Sequence, residues 1–218
     1  MAYAMRARRA LGWTIWVAGV APALRLAWLG AHDGLGANPI EELEHQTGLA
    51  ALCLLLATLA VTPLRRVGFA ALAPFRRRLG LLSFAYVLVH FSLWIGFDNG
   101  LDPAAIVEDI AKRPYVTAGF AAFVLLVPLA VTSTRGAVRR LGRRWVQLHR
   151  LVYPAACLAV VHYLWLVKKD LRPPLEFAAV LAVLLVARLV IPRSRARAAP
   201  SRLPRKGAAS APDPPGAA

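Results

Sequence analysis

Among the 218 residues of this chain, His90 and His162 are the first that could do chemistry. Each stands well inside a long apolar run, and side chains of this kind within such runs are functional candidates by default. Counted from Leu79, His90 lies about 17 Å along a helix; counted from Arg150, His162 lies about 18 Å along another. Two imidazoles on different helices at one depth are placed to ligate one iron from opposite sides, as in a bis-histidine haem. The plainer alternative is two unrelated histidines, each hydrogen-bonded to a backbone carbonyl. His149 precedes His162 by about 20 Å of helix, far enough to serve a separate inner site. No histidine stands at that inner depth on the other helix, where Arg76, Arg77 and Arg78 occur instead. A second haem at His149 would therefore lack an obvious histidine partner, and an ordinary interfacial histidine is the alternative. His45 opens an apolar run and reads as a helix cap or a propionate contact; His32 reads as a solvated loop residue.

Other chemistries lack their residues. The chain has no G-x-x-x-x-G-K-[ST], no H-E-x-x-H, no G-x-S-x-G and no C-x-x-C-H. Gly34-Leu35-Gly36 has no preceding strand and so is not a dinucleotide fingerprint. Cys53 and Cys157 are expected to be buried and without a redox role.

The elements that must position the histidines follow from composition. Hydrophobic residues make up 58% of the chain and charged residues 17%, with mean hydropathy +0.53. A soluble domain carries about 25% charged residues, so the chain reads as a membrane protein. Six apolar runs approach the roughly 20 residues that cross a bilayer: Leu11–Gly30, His45–Thr62, Leu79–Phe97, Val116–Thr132, Val146–Val167 and Leu175–Ile191. None alternates with a period of two, which excludes a β-barrel. The expected fold is an all-α polytopic bundle of six transmembrane helices. Its domains are a basic N-terminus (1–10), a transmembrane domain (11–191) and a disordered, basic, Pro/Ala-rich tail (192–218).

The 27 Lys and Arg outnumber the 11 Asp and Glu. With so much apolar sequence, this excess points to basic cytoplasmic loops and membrane lipid, not nucleic acid. Arginines fill the N-terminus, the second and fourth loops and the tail. Acidic residues fill the first loop (Asp33, Glu41, Glu42, Glu44) and most of the third (Asp98, Asp102, Glu108, Asp109). Both termini are thus expected in the cytoplasm. The arginine-rich loops suit phosphate or carboxylate groups, or simply the positive-inside rule. No carboxylate falls near the bilayer centre, which counts against a proton pump or cation transporter.

Short motifs then carry a resemblance. They are Gly34-Leu-Gly-Ala-Asn-Pro, Glu44-His45-Gln-Thr-Gly48, Thr62-Pro-Leu, Arg78-Leu-Gly, Val89-His90 and Arg113-Pro-Tyr115, followed by Thr132-Ser-Thr-Arg-Gly, Leu141-Gly-Arg-Arg-Trp-Val-Gln-Leu-His149 and Val161-His162-Tyr-Leu-Trp165. In this order they resemble the MsrQ (YedZ) family, the haem-binding membrane subunit of the bacterial periplasmic protein-methionine-sulfoxide reductase system. The resemblance covers nearly all the chain except the tail. It implies a ferric reductase-like six-helix domain in the inner membrane, with b-type haem and FMN. The family's membrane histidines fall on His90, His149 and His162. It also implies electron transfer from the quinone pool or a cytoplasmic flavin reductase to a periplasmic molybdopterin-dependent methionine-sulfoxide reductase subunit. On this reading the chain is a redox subunit and does not itself reduce the sulfoxide. The alternatives are a ferric reductase-like haem subunit with another acceptor and a non-redox transporter.

Overall fold

Prolines and small polar residues mark most of the helix starts in this chain. The computed structural model, which describes residues 2–192, consists of helices and their connections, with no strand among the described residues. Helix α1 (Ala2–Ala31) is followed by α2 (Pro39–Arg66). Asn38 caps α2 by accepting from the Glu41 amide, and Pro39 sits at the first position, where a missing N–H costs nothing. Glu41 and Glu42 lie in the first turn of α2 and Arg65 and Arg66 in its last, matching the helix dipole at both ends. A 3₁₀ turn (Ala70–Phe75) leads into α3 (Arg76–Leu93), which runs on into a π turn (Trp94–Asp98). The third connection holds a short surface helix, α4 (Pro103–Lys112), capped by Asp102. Helix α5 (Pro114–Val131) starts on a proline. The fourth connection folds as α6 (Arg135–Leu141) and α7 (Arg143–Leu148). They are separated by Gly142, whose φ of +49° suits glycine. After a 3₁₀ turn (His149–Leu151) come α8 (Val152–Leu166) and α9 (Arg172–Val190).

The all-α polytopic bundle expected from the sequence is present, and among the described residues five helical stretches are long and apolar enough to cross a membrane, where six were expected. These are Gly12–Ala31, Pro39–Arg66, Ala70–Asp98, Pro114–Val131 and Arg172–Val190. The expected fifth span, Val146–Val167, is broken. Pro154, in the first turn of α8, has no N–H to donate and its ring crowds the carbonyl four residues earlier. The chain therefore turns tightly over His149–Leu151, leaving α8 only 15 residues long. That is about 22 Å of helix. Glu41, Glu42 and Glu44, expected in a loop, lie instead in the first turns of α2. The N-terminal segment expected over 1–10 enters α1 from Ala2, and the tail from 193 onward lies outside the described residues. Cys53 and Cys157, expected to be buried, are both exposed.

The core is built where α2, α5 and α8 meet. Leu52, Leu55 and Leu59 of α2 pack with Leu126 of α5 and Val160 of α8. Ala155 and Ala156 are fully buried; small residues of this kind let helices approach closely. Helix α3 is tied to α2 by Ser83, whose hydroxyl donates to the Ala51 carbonyl at 2.9 Å. It is tied to α1 by Tyr86. That hydroxyl donates to Gly19 O at 2.7 Å and accepts from the Ala23 amide at 3.1 Å, standing in one rung of the α1 ladder beside Pro22. The outer faces carry large exposed apolar side chains, including Trp13 and Trp28 on α1 and Val183 and Leu189 on α9. Such surfaces suit lipid.

Candidate functional site

A cavity of about 820 Å³ opens between α2, α3, α5 and α8. This lies within the ~300–1,000 Å³ range of small-molecule and cofactor sites. Its deep end is apolar, with Leu52, Leu55, Phe123 and Leu126; its mouth carries Asn38, Glu41, Asp98 and Arg113. His90 of α3 and His162 of α8 both line it, and so does His45 of α2. The His90 and His162 rings are 6.2 Å apart between centroids and inclined at 75°. Two imidazoles on opposite sides of one metal, with bonds of about 2.0 Å, keep their centroids roughly 6 Å apart.

The hydrogen bonds of the two rings fix which nitrogen is free. His90 Nδ1 lies 2.9 Å from Glu44 O, and His162 Nδ1 lies 2.7 Å from Tyr115 O. A carbonyl only accepts, so each Nδ1 carries the proton and each Nε2 keeps its lone pair. A ligating histidine is oriented in this way by its second nitrogen. The plainer reading of the sequence, two histidines each bonded to a carbonyl, describes the same bonds; the ring spacing and the shared cavity add what that reading lacks.

Both seats are built by one device. The carbonyl of residue i on a neighbouring helix receives the imidazole, and residue i+4 is glycine. Gly48 follows Glu44, and Gly119 follows Tyr115. A Cβ at Gly48 would lie 3.3 Å from His90 Cε1, and one at Gly119 would lie 2.8 Å from His162 Nδ1. Sequence reasoning named Gly48 only as part of a motif and passed over Gly119. The signal was available: a glycine inside an apolar helix usually marks a close approach.

Aromatic rings wall one side, with Phe91 against Phe123 at 4.2 Å and against Trp94 at 5.7 Å. The Trp94 Nε1–H donates to Asp109 Oδ2 at 3.0 Å. Asp109 also pairs with Arg113 Nε at 2.8 Å. The hydrogen bond from Arg113 to the Tyr115 hydroxyl, with Asp109 and Asp98 nearby, raises the Arg113 pKa above its ordinary value. Glu44 Oε1 is buried with no hydrogen-bond partner among the described residues. His45 lies 6.2 Å from the Tyr163 ring.

His149 is not brought to this cavity. Its ring stacks on Trp145 at 3.8 Å and its Nδ1 lies 3.1 Å from Trp145 O, while its Nε2 is buried with no hydrogen-bond partner among the described residues. His32 stacks on Trp28 and is exposed. Among the described residues no group of three or more His, Cys, Asp or Glu could hold a metal ion by protein ligands alone. A metal carried in a macrocycle needs only axial ligands, and His90 and His162 can supply two.

Comparisons with known proteins place the chain in a family. Residues 47–160 match the family model described as "Ferric reductase like transmembrane component". The chain is 50% identical over 174 residues to the "Protein-methionine-sulfoxide reductase heme-binding subunit MsrQ" of Bordetella pertussis, covering 78% of this chain and 84% of the relative. Against the protein of the same name from Ralstonia nicotianae it is 52% identical over 185 residues, covering 83% and 85%. Against that from Xanthomonas euvesicatoria it is 51% identical over 176 residues, covering 80% and 77%. No solved structure matches the chain. It is thus a multi-pass protein of the bacterial inner membrane, and by length and identity of the match it belongs to the MsrQ family, within the ferric reductase-like transmembrane proteins.

Proposed function

We propose that this chain is the membrane electron-transfer subunit of a periplasmic protein-methionine-sulfoxide reductase system. The carrying observation is the pair of imidazoles, 6.2 Å apart in one cavity, with both Nδ1 atoms committed to backbone carbonyls. Family membership supports the same reading, since the relatives are named as heme-binding subunits. A b-type haem between His90 and His162 would supply one-electron chemistry. The chain's own residues do the rest. Glu44 O and Tyr115 O hold the imidazoles, Gly48 and Gly119 make room for them, and the leucines and phenylalanines exclude water. FMN is included on the strength of the family resemblance.

Electrons would arrive from the quinone pool or a cytoplasmic flavin reductase and leave to a periplasmic molybdopterin-dependent reductase. Both termini would be cytoplasmic, with α8 making a short sixth crossing within residues 11–191. The tail over 192–218 would follow as a separate basic segment. Glu41 and Glu42 near the cavity mouth would face the partner. His149, whose imidazole, with Nε2 buried, faces the Leu129 backbone and Arg76, is the candidate ligand of a second haem, with Arg76 where a second histidine would stand. A second reading, a haem subunit serving another acceptor, is favoured by the ferric reductase-like match over residues 47–160.

The test is the absorption spectrum of the purified protein, oxidised and dithionite-reduced, beside His90→Ala and His162→Ala. The expected result is a low-spin b-haem spectrum lost in both variants. A colourless wild type expressed with haem precursor overturns the reading. Reduction of iron chelates, with no electron transfer to a periplasmic reductase, would select the second reading.

A further inference from the structure

The end of the bundle away from the cavity mouth gathers arginines that no described carboxylate answers. Arg65 and Arg66 close α2, Arg76 opens α3 and Arg188 lies in the last turn of α9. Their charges act on one another: Arg76 feels Arg65, and Arg188 feels both Arg66 and Arg76. Arg66 Nη1 donates to Arg188 O and Ile191 O, each at 2.7 Å, and so pins the end of α9 to α2. Arg188 Nη2 donates to Thr62 Oγ1 at 2.8 Å, and its guanidinium lies 4.9 Å from the Tyr153 ring centroid. Arg76, partly buried beside Tyr153, has no hydrogen bond or ion pair among the described residues.

The described carboxylates cannot help. They fall at Asp33–Glu44, Asp98–Asp109, Asp170 and Glu176, in or beside the connections at the opposite end. The two ion pairs among the described residues, Lys112–Glu108 and Arg113–Asp109, are there too. Bringing like charges together out of bulk water is unfavourable unless an anion joins them. Arginine's planar fork matches phosphate oxygens in pairs. At a membrane surface the abundant anions are phosphate groups.

We infer that Arg76 and Arg188, both beside Tyr153, form with the neighbouring Arg65 a binding site for a phosphate ester. Two sources carry that group to this surface: the headgroup of an anionic phospholipid and the phosphate of FMN. Only the FMN source rests on the function proposed above; the site itself does not depend on the haem.

The experiment uses the full chain in phosphatidylcholine nanodiscs. In one arm phosphatidylglycerol is added and retained lipid is counted by native mass spectrometry. In the other, FMN is added and retained flavin is measured by fluorescence after acid release. Arg76→Gln and Arg188→Gln are compared with Arg139→Gln, an exposed arginine of α6. Removing one charge-assisted contact weakens retention about tenfold in the arm that reports the true source. Arg139→Gln leaves it unchanged. If Arg188→Gln elutes as aggregate on gel filtration, Arg76→Gln and the exposed Arg65→Gln decide. The inference is overturned if neither arm responds to these variants, or if Arg139→Gln costs as much as they do. A colourless protein that still shows the selective loss would sink the haem reading and leave this site standing.

Discussion

Gly119→Ala is the most discriminating perturbation of the histidine pair. The added Cβ would lie 2.8, 3.0 and 3.2 Å from Nδ1, Cε1 and Cγ of His162. Ordinary carbon contacts begin near ~3.5 Å, so the ring must retreat by roughly half an ångström or more. That retreat strains the 2.7 Å bond to Tyr115 O and tilts Nε2 away from His90. Disturbing such a supporting bond costs about 10–100-fold in metal affinity. A less polarised imidazole is a weaker donor to ferric iron, so the haem midpoint potential should rise. Gly48→Ala is the graded control. Its Cβ would lie 3.3 Å from His90 Cε1 and 3.4 Å from Nδ1, which a shift of a few tenths of an ångström relieves. Both changes replace glycine inside a helix, which by itself stabilises the helix by about 0.5–1 kcal/mol. A loss of haem without loss of thermal stability therefore isolates the seat from the fold. The assay is haem titration of apoprotein with the reduced spectrum and a redox titration, for both variants. Equal effects at the two glycines, or a wild-type affinity and potential in Gly119→Ala, would refute the carbonyl-and-glycine argument.

Further outcomes follow from other contacts. Tyr86→Phe removes both hydrogen bonds to α1, about 1–3 kcal/mol together, and should release α1 to protease while leaving the haem spectrum intact; unchanged protection would show that the hydroxyl does not hold α1. Asn38→Ala removes the α2 cap beside the cavity mouth and should cost about 1 kcal/mol in thermal unfolding. Neutralising Glu41 and Glu42 together to Gln should slow electron transfer to the periplasmic partner about tenfold at low ionic strength and little at high salt. Equal rates at all salt concentrations would remove docking from the role of these residues.

The sequence exposed what depends on period and composition and concealed what depends on packing. The depth match of His90 and His162 was legible because a helix rises uniformly, and both runs could be counted from charged ends. Their facing across one cavity was not legible, since it depends on how α3 and α8 rotate against α2 and α5. The break at His149–Leu151 was half legible: Pro154 announced a disturbance, but a kinked long helix and a short helix after a 3₁₀ turn look alike in hydropathy. Glu41 and Glu42 read as loop residues because charge ends an apolar run, although Asn38-Pro39 is already a helix start. The cysteines are exposed, against the expectation from hydropathy, for a reason specific to membranes. An apolar position in a span faces lipid as readily as it faces protein, so hydrophobicity alone does not imply burial.

The two ends of the bundle set the direction of the proposed transfer. The cavity opens beside Asn38, Glu41, Asp98 and Arg113 and closes on Leu55 and Leu126. A haem held there by His90 and His162 would find polar partners for its propionates only at the mouth, since Leu52, Leu55 and Leu126 offer none. On that reading the acidic end, with Glu41 and Asp98, is where a basic partner surface would dock. His149, about 20 Å of helix before His162, and the stretch from it to Leu158 contribute nothing to the cavity lining. An electron entering at the arginine-rich end must cross that stretch before reaching the histidine pair. FMN or a second haem near His149 would fill that gap, and His149, with its Nε2 buried at the inner end, is the residue of the chain placed to serve it.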